Sequence, residues 1–477
     1  MELHVSLVGR RDLAGEIYRQ LRAAILERRL RAGERLPPTR EMAARLSVSR
    51  TTVGVAYDRL ISEGFAVARV GAGTFVGRHV AAEPSRLHRP HGALRPRPAW
   101  LGVPQPANWW REAEFDFRPG IPDASLFPYR TWRRLVARHL RPAAVGRGTP
   151  GEPAGHAGLR AAIAAHVGAS RAIRATADDI VVTNGTQQAV DLIARVLLAP
   201  GDRVAVEDPG YGTPRRLLAA VGARLVPVPV DGEGLVVDAI PPDVRLVNVS
   251  PSHQFPLGMS MSLGRRLALI DWAERHDAAV LEDDYDSEFR FDGRPIEPLH
   301  SLDPSGRVIY VGSFSKTMLA TLRLGFVVVP ASIREAVQAA KYLTDWHSPL
   351  PLQAALASFI DEGWFARHLR RMRTIYRERH ELIAAFVADR LGAELRLVPS
   401  SVGLHLAAEA PPESRLASPD RVAAAVRRAS AAGVETYPLS LFAAGDSPRC
   451  GIVLGYGGIA ADRIPEGLRR LEAAFRG

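Results

Sequence analysis

Lys316 and Lys341 are the only lysines in a chain that otherwise uses arginine for its positive charges. Lys316 lies in segment 312–317 and is followed by segment 323–325, Arg-Leu-Gly. A primary amine can lose its proton and form a Schiff base with an aldehyde, which a guanidinium cannot do at ordinary pH. Lys316 is therefore the candidate catalytic residue, as a Schiff-base amine. The alternative is an ordinary surface lysine.

An acidic and a phenolic residue follow the apolar run 279–281. In a pyridoxal phosphate pocket, a carboxylate keeps the pyridine nitrogen protonated so that the ring can act as an electron sink. Asp283 is placed for this at the predicted carboxyl end of a strand, where open α/β sheets bind ligands. Tyr285, two residues on, is predicted to hydrogen-bond the phenolic oxygen of the ring and to lower the pKa of the Schiff base.

A phosphate-binding pattern follows the β-branched run 180–182. A phosphate dianion is held by backbone amides at the start of a helix, by hydroxyls and by an arginine. The residues predicted to supply these groups are Gly185, Thr186, Gln187, Ser313, Ser315 and Arg323, and Tyr211 is predicted to cover the ring. Each pattern is common alone, but their joint occurrence in this order predicts a pyridoxal 5'-phosphate site.

Short β-branched runs alternate with helical segments from about residue 114 onward. They lie at 180–182, 203–206, 245–249, 279–281, 308–311 and 325–329. Such runs predict an α/β fold with a mostly parallel sheet and helices on both faces. After about residue 361, a long helix and a few strands predict a smaller C-terminal subdomain.

The N-terminal region has the pattern of a winged helix-turn-helix. Apolar residues recur at helical spacing over 12–29, and Gly33 follows as a terminator. Thr39 is predicted to cap a short helix that ends at Leu46, and Ser49 to cap the next helix. Residues 65–76, with a glycine-rich turn, predict a β-hairpin, the wing.

A recognition helix presents polar side chains to base edges and phosphates. The predicted DNA-binding residues are Ser49, Arg50, Thr51 and Thr52 at its start, Arg59 further along, Arg35 and Arg40 beside the preceding helix, and Gly73 in the wing. Arginine can hold guanine through two hydrogen bonds, which favours Arg50 or Arg40 as the residue that reads sequence. The alternative is a winged helix that binds protein rather than DNA.

The positive charge is concentrated near the N-terminus. Residues 1–78 hold 14 arginines against 8 acidic residues, whereas the whole chain has a net charge of +11. A basic module on a nearly neutral body is typical of a polyanion-binding domain joined to a second domain. Residues 79–113 contain six prolines and predict a linker. We therefore predict three parts: a DNA-binding domain at 1–78, a linker at 79–113 and a cofactor-binding domain at 114–477.

The single cysteine, Cys450, allows no intrachain disulfide and no cysteine-based zinc site, so no metal is predicted. The first residues lack a secretory pattern, and no apolar run reaches the roughly 18 residues that span a bilayer. We expect a cytoplasmic protein without a membrane partner.

Two sets of motifs resemble a known family. Segments 32–43, 48–53 and 56–65 resemble the DNA-binding domain of GntR-family regulators. Segments 183–189, 207–211, 251–258, 282–290 and 312–317 resemble the MocR subfamily of that family, and the resemblance covers nearly the whole chain. It implies a fold-type I aminotransferase-like domain that binds pyridoxal phosphate as an internal aldimine, with His253 among the cofactor-binding residues, and a head-to-tail homodimer. It also matches Arg449 to an arginine that grips an effector carboxylate.

Departures from the family pattern bear on the effector. Family members carry Tyr-X-Arg where this chain has Tyr211-Gly212-Thr213, which argues against an effector like γ-aminobutyrate. Pro150 stands where relatives commonly have a tyrosine, so this loop contributes no tyrosine to the site. The sequence predicts a DNA-binding transcriptional regulator that senses an amino compound or pyridoxal phosphate itself. The alternatives are an active aminotransferase with an appended DNA-binding module, and a winged helix on a cofactor-free dimerisation scaffold.

Overall fold

The chain divides into two compact units, Met1–Pro96 and Arg97–Gly477. The computed structural model describes residues 12–77, 94–101, 103, 112–146, 148–293, 297–445 and 449–476. The linker tryptophans Trp109 and Trp110 lie outside these residues. Trp100 is in a short 3-10 turn, Pro98–Trp100, and is 59% exposed. The boundaries expected after residues 78 and 113 stay predictions.

The first unit is a winged helix. It contains α1 (Leu13–Leu26), α2 (Thr39–Leu46), α3 (Arg50–Ser62), β1 (Ala66–Arg69) and β2 (Gly73–Val76). The two strands pair antiparallel, so the predicted hairpin is confirmed. α1 ends earlier than the sequence suggested, because Arg28 adopts a left-handed backbone conformation with φ of 60°.

The two predicted helix caps have different outcomes. The Ser49 hydroxyl accepts a hydrogen bond from the Thr52 amide at 3.0 Å, which confirms the cap of α3. The cap predicted at Thr39 is wrong: Pro38 occupies the cap position of α2, and Thr39 is already helical. The Thr39 hydroxyl instead accepts a bond from Arg50 Nε at 3.3 Å. Thr39 therefore connects the two helices of the motif.

The second unit is an α/β domain. In chain order it contains β3 (Phe115–Asp116), α4 (Tyr129–His139), α5 (Pro142–Val145), α6 (Ala157–Arg171), β4 (Ile180–Thr183), α7 (Thr186–Leu197), β5 (Arg203–Asp208), α8 (Gly212–Ala220), β6 (Arg224–Asp231), β7 (Gly234–Leu235), β8 (Val244–Val249), α9 (Leu263–Arg275), β9 (Ala279–Asp284), α10 (Leu299–Leu302), β10 (Val308–Ser313), β11 (Gly325–Val328), α11 (Arg334–Asp345), α12 (Leu350–Asp361), α13 (Trp364–Arg390), β12 (Arg396–Leu397), β13 (His405–Glu409), α14 (Pro419–Ala431), β14 (Val434–Glu435), β15 (Tyr437–Pro438), β16 (Gly451–Gly455) and α15 (Ile464–Arg476).

An eight-stranded sheet forms the centre of this unit, in the order β4-β11-β10-β9-β8-β5-β6-β7. The pairs from β10 through β6 are parallel. Each run expected to be a strand is one, so the predicted mostly parallel sheet is confirmed. β11 is antiparallel to both its neighbours. The sequence analysis missed β6, because Pro227 and Pro229 within it disguise its β-pattern.

Both faces of the sheet are covered by helices. In β4, Val181 faces a core that includes Val190 and Ile193 of α7, whereas Ile180 and Val182 face the opposite core. This alternation is the period of two expected when a strand is buried on both sides. The antiparallel sheet β12-β13-β16-β15 and helices such as α13 form the predicted C-terminal subdomain. None of the helices in the described ranges is both long and apolar enough to cross a membrane.

Candidate functional site

Lys316 lies in the loop between β10 and β11, at the wall of a cavity of about 390 Å³. Its Nζ atom donates a hydrogen bond to the carbonyl oxygen of Gly120 at 2.6 Å. Burial lowers the pKa of Lys316, and the carboxylates of Asp286 and Asp283 oppose that shift. A buried amine with a lowered pKa is more easily deprotonated, and only the neutral amine can attack an aldehyde.

Asp283 and Asp284 end β9 and point to opposite sides of the sheet. Asp284 forms an ion pair with Arg171 at 2.7 Å and accepts a hydrogen bond from the Tyr310 hydroxyl at 2.7 Å. Asp283 faces the cavity, and its buried Oδ1 atom has no hydrogen-bond partner among the described residues. Burial, then the charge of Asp284, raises the pKa of Asp283 to about 7, against the opposing effect of Lys316.

A buried carboxylate oxygen without a partner is costly, so the position suits a ligand that donates a hydrogen bond. A protonated pyridine nitrogen is such a donor. The residues at this end of the cavity therefore fit the ring of pyridoxal phosphate.

The turn between β4 and α7 forms another wall of the cavity. Gly185 precedes the helix with φ of 80°, and Thr186 and Gln187 line the cavity from its first turn. Arg323 Nη2 donates to the Asn184 carbonyl at 2.8 Å, and a Cβ atom on Gly185 would lie 2.8 Å from the same Nη2 atom. The turn therefore requires glycine both for its backbone angle and for the close approach of the arginine.

The other predicted phosphate ligands converge on the same place. Ser313, at the end of β10, and Ser315 line the cavity together with Arg323. The Ser313 hydroxyl accepts a hydrogen bond from the Ser315 amide at 3.1 Å, which orders the start of the loop that carries Lys316. Helix amides, hydroxyls and a guanidinium thus surround one part of the cavity, as an anion requires.

Aromatic rings complete the cavity. Tyr211 is 37% exposed and meets Phe255 edge to face, with their centroids 5.6 Å apart. The sequence analysis placed Tyr211 and Tyr285 at the site but missed several lining residues: Pro119, Gly120, Ile121, Phe255, His405, Tyr437 and Phe442. They come from segments distant from Lys316 in the chain. Phe255 lies in segment 251–258, which carries the family resemblance, but the resemblance alone did not assign it to the site.

His253 does not lie where the sequence analysis placed it. It is 2% exposed and sits behind Tyr285, whose hydroxyl donates to the His253 carbonyl at 2.9 Å. His253 Nδ1 lies 2.9 Å from Asp286 Oδ1 and 3.2 Å from the Tyr285 hydroxyl. Burial lowers the pKa of His253 to about 3, so its ring is neutral. The prediction of a direct cofactor contact is therefore corrected: the side chain supports Tyr285 from behind.

Arg449 is also not at the cavity. It forms an ion pair with Glu409 at 2.8 Å and donates to the Val230 carbonyl. It precedes β16, whose first residue, Gly451, pairs with Glu409 of β13, so the guanidinium reaches across to the neighbouring strand. Arg449 lines a separate surface cavity next to Cys450. Arg449 is therefore not among the residues that line the cavity of Lys316, and its contact with an effector carboxylate stays a prediction.

In the winged helix, the predicted DNA-binding residues are exposed at the start of α3 and beside α2. Arg50 and Thr51 are exposed, and Arg50 is steadied by its bond to Thr39. Arg40 is exposed on α2. The Arg35 guanidinium packs against Gly73, where a Cβ atom would lie 3.0 Å from Arg35 Nε. The structure thus brings Arg35 and the wing together.

Arg59 is exposed but packs against α1. At 100° per residue it lies on the face of α3 opposite Arg50 and on nearly the same face as Thr52, which is seven positions earlier. The Arg59 guanidinium lies 4.0 Å from the centre of the Tyr18 ring of α1 and bonds Glu63 at 3.0 Å. Arg59 therefore helps to pack α3 against α1, and its contact with DNA stays a prediction.

Comparison with known proteins adds two family matches. The family of bacterial regulatory proteins, gntR family, matches residues 13–76, and the family aminotransferase class I and II matches residues 127–431. The chain is 41% identical to the probable rhizopine catabolism regulatory protein MocR of Rhizobium meliloti, over 96% of this chain and 93% of the relative. It is 30% identical to the pyridoxine biosynthesis regulator PdxR of Corynebacterium glutamicum, over 94% and 93% of the two chains.

Among solved structures, the kynurenine aminotransferase of Pyrococcus horikoshii, in complex with PMP, superposes with a TM-score of 0.70. It is 27% identical, and the match covers 77% of this chain and 92% of that one. A gntR-type winged helix joined to an aminotransferase fold defines a class of transcriptional regulators. The chain belongs to the MocR subfamily of the GntR family, within that class.

Proposed function

We propose that the aminotransferase-type domain binds pyridoxal 5'-phosphate through an imine with Lys316, and that the bound cofactor makes the chain a DNA-binding regulator responsive to an amino compound or to the cofactor itself. The observation that carries the proposal is the position of Asp283. Its unpartnered carboxylate oxygen and the Lys316 amine share one cavity with the amide-lined turn that begins at Gly185.

Different residues of the chain bind the ring and the phosphate of the cofactor. Asp283 accepts a hydrogen bond from the pyridine nitrogen. Tyr285 donates its single hydroxyl hydrogen to the phenolic oxygen in place of the His253 carbonyl, which accepts it in this structure. The amides of Gly185, Thr186 and Gln187, the hydroxyls of Ser313 and Ser315 and the Arg323 guanidinium hold the phosphate. Tyr211 covers the ring. When bound, the cofactor supplies an aldehyde that an amine can attack.

A regulator must bind its effector unequally in two conformations, because a ligand with equal affinity for both shifts nothing. Free amine competes with Lys316 for the cofactor aldehyde, so an amino compound is a suitable effector. The two relatives' names point to rhizopine catabolism and pyridoxine biosynthesis. For this chain we propose an amino compound or the cofactor itself as the effector.

Absorbance and mass spectrometry test the cofactor. Protein purified with pyridoxal phosphate present is expected to show the visible band of a protonated imine, and Lys316→Ala to lack it. Borohydride reduction is expected to fix the cofactor mass on the peptide that contains Lys316. Lys341→Ala is the natural comparison, since it removes the chain's other lysine. A wild-type protein with no visible imine band and no cofactor adduct would contradict the proposal and favour a cofactor-free scaffold.

An active aminotransferase is the second candidate, and the observation in its favour is the shared apparatus of Lys316, Asp283 and Tyr285 in one cavity. Steady-state assays with a panel of amino donors and a keto acid separate the two. A regulator is expected to give at most a single half-reaction per site. Repeated turnover with any donor would favour the enzyme.

We also propose a head-to-tail homodimer. In support, α11 and the residue that follows it expose apolar side chains: Leu343 is 80% exposed, Tyr342 46% and Trp346 43%. Exposed apolar patches mark association surfaces. Analytical ultracentrifugation is expected to give a dimer that Leu343→Asp weakens, and a monomeric wild type at micromolar concentration would contradict the proposal.

A further inference from the structure

The second lysine of the chain, Lys341, lies fully buried within α11, with 0% of its surface exposed. Its Nζ atom donates to Gln188 Oε1 at 2.7 Å and pairs with Asp345 Oδ1 at 2.8 Å, and it lies 3.5 Å from the Ser348 hydroxyl. An ammonium has three donors directed to three sides, whereas a guanidinium presents a flat fork of five. The surroundings of Lys341 suit the first shape.

The partners of Lys341 belong to the turn that begins α7. Gln188 Oε1 also accepts the Asn184 amide at 2.8 Å, so one oxygen joins the lysine to the backbone of the turn. Asp345 Oδ2 accepts from Asn184 Nδ2 at 2.7 Å and from Gln188 Nε2 at 2.8 Å. These polar groups form a closed network, in which Asn184 and Gln188 are fixed from the side of α11.

Between Asn184 and Gln188 lie the three residues whose amides are assigned to the phosphate. The same network reaches the phosphate arginine, because Arg323 Nη2 donates to the Asn184 carbonyl at 2.8 Å. A buried network of this kind holds its members rigidly only while every member is satisfied. Removing the ammonium leaves Asp345 and the Gln188 oxygen without the cation that holds them together.

We propose that Lys341 is a positioning residue for the phosphate end of the cofactor site: through Gln188, Asp345 and Asn184 it fixes the turn that binds the phosphate. The inference rests on the proposed binding of pyridoxal phosphate. It assigns no contact between Lys341 and the cofactor, since Lys341 is not among the residues that line the cavity. It also gives a physical reason for lysine rather than arginine at this position in a chain so rich in arginine.

The test compares pyridoxal phosphate with pyridoxal, which has the same aldehyde and ring but lacks the phosphate. The ratio of their dissociation constants, measured by titration of the apo protein, isolates the contribution of the phosphate. For Lys341→Met we expect affinity for pyridoxal phosphate to fall by about tenfold, the loss typical of a hydrogen bond to a charged group, while pyridoxal binds as in wild type. At saturating cofactor, the visible band is expected to keep its shape and position, because Lys316 is unchanged.

Asp345→Asn is the second variant, chosen because it keeps the shape of the side chain if Lys341→Met does not fold. The same loss of preference for the phosphate is expected. Ser348→Ala is the matched control: it removes the longest of the three contacts within the same buried space and is expected to leave the ratio unchanged.

Two results would overturn the inference. In one, both variants keep the wild-type ratio. In the other, they lose affinity for both ligands equally and melt at a lower temperature without ligand, which would assign Lys341 to the general stability of the fold. A wild type that binds neither ligand would instead refute the proposed cofactor.

Discussion

The Nζ atom of Lys316 lies 2.6 Å from the carbonyl oxygen of Gly120, to which it donates a hydrogen bond. The two residues are far apart in the chain and meet because residues 119–122, which follow β3, line the same cavity as Lys316. Gly120 has φ of 79°, a conformation that favours glycine. This segment thus closes the cavity over the lysine and fixes where its amine lies.

Gly120→Ala is expected to weaken pyridoxal phosphate binding by at least about tenfold. An added Cβ atom would lie 2.8 Å from Lys316 Nζ, so the lysine or the segment must shift. Gly306→Ala is the control, because Gly306 also has a positive φ, 70°, but its Cβ atom would meet nothing within 4 Å. Both variants incur the backbone cost of roughly 1 kcal/mol, and only Gly120→Ala disturbs the lysine. Equal cofactor affinity in the two variants would contradict this interpretation.

The sequence was sufficient for the residues whose local pattern carries their chemistry. Lys316, Asp283 and the turn at Gly185 each follow a β-branched run, and the carboxyl ends of parallel strands meet at one edge of a sheet. Gly120 and His405 could not be found in this way. They reach the cavity through tertiary packing, and neither follows a strand in the way that marks Asp283 and Gly185 as site residues.

Two predicted site residues make structural contacts that the sequence did not indicate. Arg59 and Arg449 were chosen for charge and sequence position, but the direction of a side chain depends on its phase on the helix or on the neighbouring strand. Arg59 faces α1, and Arg449 faces Glu409. Lys341 illustrates the converse, since its role depends on Gln188 and Asn184 in another helix and turn.

Asp283→Asn is expected to stabilise the cofactor-free protein above neutral pH while weakening cofactor binding. Burial raises the pKa of Asp283 to about 7 from its ordinary value of 3.8. Between these two pH values the carboxyl group is protonated in the folded state and ionised in the unfolded state. Wild-type stability therefore falls as pH rises from about 4 to 7. Asparagine cannot ionise, so the variant avoids this loss, which is on the order of 4 kcal/mol at pH 8 for a shift of about three pKa units.

Urea unfolding of the two cofactor-free proteins between pH 5 and 8 measures the effect. The advantage of Asp283→Asn is expected to be greatest at pH 8 and to shrink toward pH 5. Asp389→Asn, at an exposed residue near the end of α13, is expected to show no such dependence. A pH-independent difference between wild type and Asp283→Asn would show that ionisation of Asp283 does not oppose folding.

Tyr285→Phe is expected to raise the pKa of the imine formed with Lys316 by about one unit, through loss of a hydrogen bond to a charged group. The Tyr285 hydroxyl lies at the cavity wall and donates to the His253 carbonyl in this structure. Turning that single hydrogen to the phenolic oxygen of the cofactor would stabilise the deprotonated imine. The measurement is the pH titration of the visible band. Tyr437→Phe removes another hydroxyl of the cavity lining and is expected to leave the titration unchanged. An unshifted midpoint in Tyr285→Phe would place its hydroxyl away from the ring.

Arg50→Ala is expected to weaken binding to the DNA upstream of the protein's own gene by about 1 to 3 kcal/mol, the range for loss of an arginine that reads a base.

Arg40→Ala is expected to weaken binding to specific and unrelated DNA alike. It is also expected to lower the slope of log affinity against log salt by about 1, as loss of one phosphate contact requires. Arg59→Ala is the structural comparison, because it removes a guanidinium that contacts Tyr18 of α1 and Glu63. Its salt slope is expected to match that of wild type, with only a modest loss of winged-helix stability. Fluorescence anisotropy at several salt concentrations measures all three, and a smaller salt slope for Arg59→Ala would return this residue to the DNA-binding surface.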